Sequence, residues 1–141
     1  MARANDILVD TGPLVAVFNH RDALHAACVE VFKSLRTPLL TVWPVVTEAM
    51  HLLGSASRAQ EGLWQLLLTQ ALLVLPLGDG DVRRMHELVH QYRNQPMDLA
   101  DAALIRVAER EKIATIFTID QRDFRVVRPR HVPSFHLLPK S

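Results

Sequence analysis

Five short apolar runs constrain this chain more than any other feature: Ile7-Leu-Val-Asp10, Leu39-Leu-Thr-Val42, Leu72-Leu-Val-Leu75, Ala114-Thr-Ile-Phe-Thr-Ile119 and Ser134-Phe-His-Leu-Leu138. Runs of this length, bounded by turn residues, read as buried strands rather than helices. Helix-like segments lie between them. Pro13 suits the first turn of a helix that continues through Leu14-Val-Ala-Val-Phe18. Asp22 predicts the N-cap of a second helix to about Leu35, with Leu24, Ala27, Cys28, Val31 and Phe32 on one face. Pro44 opens a third, carrying Val45, Glu48, Ala49 and Leu52. After the Gly54-Ser-Ala-Ser57 loop a fourth runs to about Gln70, where Trp64 with Leu63, Leu67 and Leu68 reads as core. Asp79-Gly-Asp81 begins a fifth, reaching Tyr92, and Asp98 to Glu111 forms a sixth. Strands that alternate with helices imply an α/β protein, with parallel pairing and a sheet covered on both faces.

Length and composition narrow the class. At 141 residues, 49% apolar and 22% charged, the chain fits one domain over 1–141 with a core of its own and is not a disordered segment. No apolar run approaches the roughly 18 residues that span a bilayer, so no membrane association is expected. The first residues carry no long apolar segment of the secretory type. The single cysteine, Cys28, excludes an intrachain disulfide framework and a thiolate zinc cluster and reads as a small core residue. A cytoplasmic location is the expectation.

The formal net charge is only +1, but charge is unevenly spread. Residues 1–100 carry eight basic and ten acidic side chains, whereas 101–141 carry eight basic and five acidic. Arg122, Arg125, Arg128 and Arg130 fall within nine residues. Each alone reads as solvated surface; as a group they suit a nucleic-acid backbone.

The acidic residues are the more telling. In an open parallel sheet, ligands bind outside the carboxyl ends of the strands. Asp10 ends the first predicted strand and Asp120 the fourth. Asp98 and Asp101 stand at i, i+3, and Asp101 begins the apolar stripe Leu104, Ile105, Ala108. Glu48 interrupts an otherwise apolar helix face. Each has an ordinary alternative: Asp98 as an N-cap with Asp101 at N3, Asp120 as a turn residue, Glu48 salt-bridged to an arginine. Asp10 has none, since it closes a buried strand with no local need for charge. One shared cause explains all of them, a hard cation that keeps clustered carboxylates ionised. Oxygen donors without a Cys/His set favour Mg2+ or Mn2+ over Zn2+. Such a site supports phosphodiester hydrolysis. Thr11 and Thr118 flank it and are candidates to bond a water or phosphate; Arg122 and Arg125 are candidates to position phosphates at its mouth.

Taken together, Val9-Asp10-Thr11-Gly12-Pro13-Leu14, Thr47-Glu48-Ala49, Met97-Asp98-Leu99-Ala100-Asp101-Ala102 and Thr118-Ile119-Asp120 with Asp123-Phe124 resemble the PIN domain, and within it the VapC-type ribonuclease toxins of toxin–antitoxin systems. The ordered set covers nearly the whole chain. The resemblance implies a three-layer α/β/α sandwich around a mainly parallel sheet of about four or five strands and a Mg2+- or Mn2+-dependent endoribonuclease. Asp10, Glu48, Asp101 and Asp120 match the family's acidic set. Asp98 matches an extra acidic residue one turn earlier, and Thr11 the Ser/Thr position after the first Asp. Asp123 reads as structural. RNA as substrate, a cognate antitoxin that inserts near the acidic site and a homodimer are implied with it.

Other classes fit less well. A phosphatase working through an aspartyl phosphate on Asp10 wants a second Asp two residues on, where Gly12 stands. A receiver domain wants an acidic pair at the end of the first strand, where Val9 precedes Asp10. A non-catalytic RNA- or protein-binding module of the same fold would be marked by loss of an acidic ligand, and none is lost. His86 and His90, at i, i+4, lack the third ligand of a zinc site and read as surface.

Overall fold

The computed structural model describes residues 5–140. Its order is β1 (Ile7–Val9), α1 (Thr11–Phe18), α2 (His25–Ser34), β2 (Leu39–Thr41), α3 (Trp43–Leu53), α4 (Arg58–Leu68), β3 (Leu72–Val74), a 3-10 turn over Asp79–Asp81, α5 (Val82–Gln91), α6 (Leu99–Glu111), β4 (Thr115–Phe117), α7 (Gln121–Arg125) and β5 (His136–Leu138). All five strands are parallel, in the order β3-β2-β1-β4-β5. The chain therefore builds outward from β1 on one side, then crosses back to place β4 on the other. β1 and β4 meet at the topological switch point, where open α/β sheets leave a crevice at the strand ends. Their register pairs Val9 with Phe117, and the Asp10 amide donates to the Phe117 carbonyl at 2.9 Å.

The core follows from the apolar runs. Leu8, Val9, Ile116 and Phe117 are fully buried at the sheet centre. Helix α6 is buried almost all round by Ala102, Ala103, Leu104, Ile105, Val107 and Ala108; its alanines keep it slim where it packs. Helix α3 ends at Gly54, whose φ of +91° is a conformation that side chains with a Cβ rarely adopt.

Several elements depart from the sequence reading. The strands are three residues each, shorter than the apolar runs that mark them. Helix α2 starts at His25, not Asp22; the Asp22 carboxylate instead accepts from the Leu24 amide at 2.9 Å in a turn. Leu24 and Ala27 are consequently exposed and only Cys28 is fully buried on that helix. On α4 only Leu63 is core, while Trp64 and Leu68 are 46% and 70% exposed. Helical spacing reports that two residues share a face but not what covers that face. Residues 121–125, which the sequence reading assigned to no helix, form the short helix α7.

Candidate active site

Asp10 follows β1 and occupies the N-cap position of α1, yet its carboxylate caps nothing there. One oxygen instead accepts from the Thr118 hydroxyl at 2.9 Å, because the β1–β4 register sets residues 10 and 118 side by side. Gly12 permits this closeness. A Cβ at that position would come within 3.2 Å of the Ile119 side chain, a tight contact that Ile119 would have to yield to by a few tenths of an ångström.

The first turn of α6 contributes two more carboxylates. Asp98 accepts from the Asp101 amide at 2.9 Å, and the Asp98 amide donates to the Asp101 carboxylate at 3.3 Å. This reciprocal cap is the ordinary role foreseen for the pair, and it leaves other carboxylate oxygens available. Asp120 ends the chain's path from β4 and precedes α7, whose first turn carries Asp123. Glu48 projects from α3, exposed and with no arginine bridge among the described residues.

These side chains line one cleft of about 570 Å³ at the carboxyl ends of β1 and β4. Its walls hold Asp10, Asp22, Glu48, Asp98, Asp101, Asp120 and Asp123, with Thr11, Gly12, Val15, Leu52, Pro96, Ile119 and Phe124, and no Lys, Arg or His. Carboxylates crowded without a countercharge resist ionisation. Burial raises the Asp10 pKa to about 6, reinforced by Glu48 and Asp98 against the lowering effect of the Thr11 backbone amide and the Thr118 hydroxyl. Burial, then the charges of Asp10 and Asp98, push Asp101 to about 8. Burial and the neighbouring Asp120 raise Asp123 as well.

The sequence-predicted residues divide into two groups. Asp10, Glu48, Asp98, Asp101, Asp120 and Thr11 share the cleft wall. The other three lie outside it. Thr118 is fully buried, so its hydroxyl orients Asp10 and is not open to a phosphate. Arg122 and Arg125 do not line the cleft; Arg125 lies on the other side of α7, its guanidinium donating to Gln121 Oε1 at 3.0 Å. The reason is helical: turn-like residues 121–125 coil into α7, which turns Asp120 and Asp123 one way and Arg125 the other. Asp22 and Asp123 are members that the sequence reading did not place here. Asp123 carried a signal, standing one helical turn after Asp120; Asp22 carried none, since its place depends on how the α1–α2 loop folds back.

The donor set fits a hard divalent cation. It is all oxygen, concentrated and uncompensated, and the buried Thr11 hydroxyl beside it has no hydrogen-bond partner. Among the described residues no three potential ligands already converge on one point, so the carboxylates would have to draw together around an ion.

A profile of the PIN domain matches residues 7–128. Ribonuclease VapC26 of Mycobacterium tuberculosis is 28% identical over 135 residues, covering 94% of this chain and all of that protein. Among solved structures, the sarcin–ricin loop cleaving toxin VapC20 of M. tuberculosis superposes with a TM-score of 0.75 at 20% identity, over 82% of this chain and 91% of that one. A toxin–antitoxin complex from Klebsiella pneumoniae gives 0.67 at 17% identity, over 93% and 100%. The last two likenesses establish the fold.

Proposed function

Since the chain belongs to the PIN domain family, we propose that it is a metal-dependent endoribonuclease, the toxin of a toxin–antitoxin pair. The observation that carries this reading is the cleft at the switch point: seven carboxylates, no cation in its walls, and Asp10 and Asp101 raised by burial and by neighbouring carboxylates. A stable protein has no reason to assemble that arrangement for its own sake. The likeness to Ribonuclease VapC26 over essentially both full lengths supports RNA as the substrate class.

In this reading Asp10, Asp98, Asp101 and Asp120 hold Mg2+ or Mn2+. Bound there, the ion lowers the pKa of a water and neutralises charge on the phosphate. The protein's residues supply the rest. Thr118 fixes the rotamer of Asp10 by its hydrogen bond. The Asp98–Asp101 cap holds both carboxylates to the rigid end of α6. Glu48, from α3 and in no ion pair among the described residues, would accept a proton from the attacking water. Thr11 lines the cleft with its hydroxyl buried and unpartnered, so it would meet a water or phosphate oxygen only if the carboxylates shift around the ion.

A cognate antitoxin, a homodimer and a cytoplasmic setting belong to the same proposal. The exposed Trp43, Leu52, Trp64 and Leu68 support partner-covered surfaces. Among the described residues no helix is long and apolar enough to cross a membrane. The test is cleavage of a mixed RNA pool by the purified chain with Mg2+, with Mn2+ and with EDTA, beside Asp10→Asn. Cutting that needs metal and disappears in the variant is the expected result. A folded chain that neither cuts RNA nor binds either ion overturns the reading.

A further inference from the structure

We propose that the groove between α7 and β5, lined by Arg125, His136 and Lys140, is a phosphate-binding track for the RNA strand whose scissile bond enters the acidic cleft. The proposal rests on the nuclease reading and adds where the substrate runs.

The cleft alone cannot hold a polyanion. Every charged side chain in its walls is negative. An ion can offset charge at the bond being cut, but the phosphates on either side need cations of their own. Across α7 lies a second depression of about 280 Å³, lined by Gln121, Arg125, Phe135, His136, Leu137 and Lys140. It contains basic groups and no carboxylate. Among the described residues the ion pairs engage Arg84, Arg106, Arg110 and Arg130, and neither Arg125 nor Lys140 takes part in one. Most of the fold's buried and half-buried arginines are thus committed to acids, while this groove keeps its charge for an outside partner.

The two depressions share α7 as their common wall. Asp120, Asp123 and Phe124 face the cleft, and Gln121 and Arg125, one turn apart, face the groove. The two depressions lie across a helix about 10–12 Å wide with its side chains, a span that one strand crosses in a few nucleotides. The spacing is also fixed. Gln121 Nε2 donates to the carbonyls of Pro139 at 2.8 Å and Thr118 at 3.4 Å, while its Oε1 accepts from Arg125. The Thr118 hydroxyl in turn donates to Asp10. One hydrogen-bonded chain therefore runs from the reacting end of the cleft to the guanidinium in the groove, so Arg125 is preorganised relative to Asp10.

The test uses the full chain carrying Asp10→Asn, which binds without cutting. Its affinity for a fluorescein-labelled mixed-sequence single-stranded RNA is measured by anisotropy across a KCl series, with and without Arg125→Glu plus Lys140→Glu. Arg58→Glu plus Arg83→Glu, on α4 and α5, makes the same change in net charge elsewhere. The groove variant should bind at least about tenfold more weakly at low salt, with a salt slope smaller by about 1.4, and the control pair should do much less. Equal affinity and slope in the parent and the groove variant overturn the proposal. So does a groove variant that keeps its RNA affinity but loses binding to a poly-glutamate peptide, which would make the groove a site for an acidic protein. If wild-type protein cuts RNA and the groove variant's slope is unchanged, the track falls and the nuclease stands. If the groove reads RNA but wild-type protein neither cuts RNA nor binds either ion, the nuclease reading falls, and with it the track to a scissile bond, leaving an RNA-binding groove.

Discussion

At its first turn, α6 presents Asp98 and Asp101 to a cleft of further carboxylates with no cation among them. About 16 Å along the same helix, Glu109 lies buried beneath a two-pronged contact from Arg84, at 2.8 and 2.9 Å, and accepts the Arg130 amide at 2.9 Å. Beside it, the buried Asp81 holds Arg106 at 2.7 Å and Arg110 at 2.9 Å. The two regions take the same acids out of water with opposite results. Despite burial, Arg84 draws Glu109 below the usual carboxylate range, and the Gly78 amide with Arg106 and Arg110 does the same for Asp81. At the other end, burial without a countercharge, and beside further carboxylates, drives Asp101 and Asp10 above it. A buried carboxylate that the fold satisfies is scaffold; one that the fold leaves wanting is a site awaiting a ligand.

The sharpest way to break this contrast is to neutralise one acid in each region. Asp10→Asn should reduce RNA cleavage at least ~100-fold while leaving the protein as stable or more so, by about 1–2 kcal/mol near pH 7.5. Kinetics and thermal melts on the same preparation check both halves. Loss of stability with loss of activity would mean that Asp10 is structural. In the paired region the outcome reverses. Arg84→Ala strands Glu109 and should cost about 3 kcal/mol or more in urea unfolding, with whatever protein remains folded cutting normally. The double change Arg84→Met with Glu109→Leu should recover most of that loss, because an apolar pair of similar volume needs no countercharge.

Adding the missing countercharge sharpens the same point. Mg2+ or Mn2+ at about a hundredfold excess over its dissociation constant should stabilise the chain by roughly 2.7 kcal/mol, read as a rise in melting temperature. The rise should be lost in Asp10→Asn and kept in Arg84→Met with Glu109→Leu. An equal rise in all three proteins would place the ion elsewhere.

The contrast also explains what was legible in the sequence. Asp10 and Asp101 could be read because their oddity is local: a charge closing a buried strand, a charge opening an apolar stripe. The parallel sheet was readable for the same reason, from runs such as Ile7–Val9 and Thr115–Phe117. The paired region was invisible because its partners, Arg84 with Glu109 and Asp81 with Arg106, are each 25 residues apart. Nothing in either segment announces the other. Arg125 was misplaced because its direction depends on α7 being helix rather than turn. Trp64 was taken for core because spacing reveals a face and not its cover.

Acid separates the two regions by sign. Asp81 and Glu109 have folded pKa values below their ordinary ones, so their stabilisation is full above the unfolded values near 3.8 and 4.5 and is lost as pH falls through the folded ones. Asp10 has a folded value of about 6 against 3.8, so its penalty is absent below 3.8, grows between 3.8 and 6 and is complete above. The stability gap between Asp10→Asn and wild type should accordingly open across pH 4 to 6 and stay level beyond, by urea unfolding at each pH without divalent ions. A gap independent of pH would show that the Asp10 charge is not what costs stability.

The smallest effect tests a residue that belongs to both kinds of acid. Asp98 caps α6 and also lines the cleft. Asp98→Ser keeps a capping oxygen and should change stability by less than about 0.5 kcal/mol, whereas Asp98→Ala gives up the cap at a cost of about 1 kcal/mol. Both remove the charge. If Asp98 serves the ion as well as the helix, the two variants lose cleavage to the same degree despite their different stabilities, and both weaken the melting-temperature rise given by Mn2+. If cleavage follows stability instead, with the Ser variant fully active, Asp98 is a cap alone, and the unsatisfied set narrows to the carboxylates that no local structure requires.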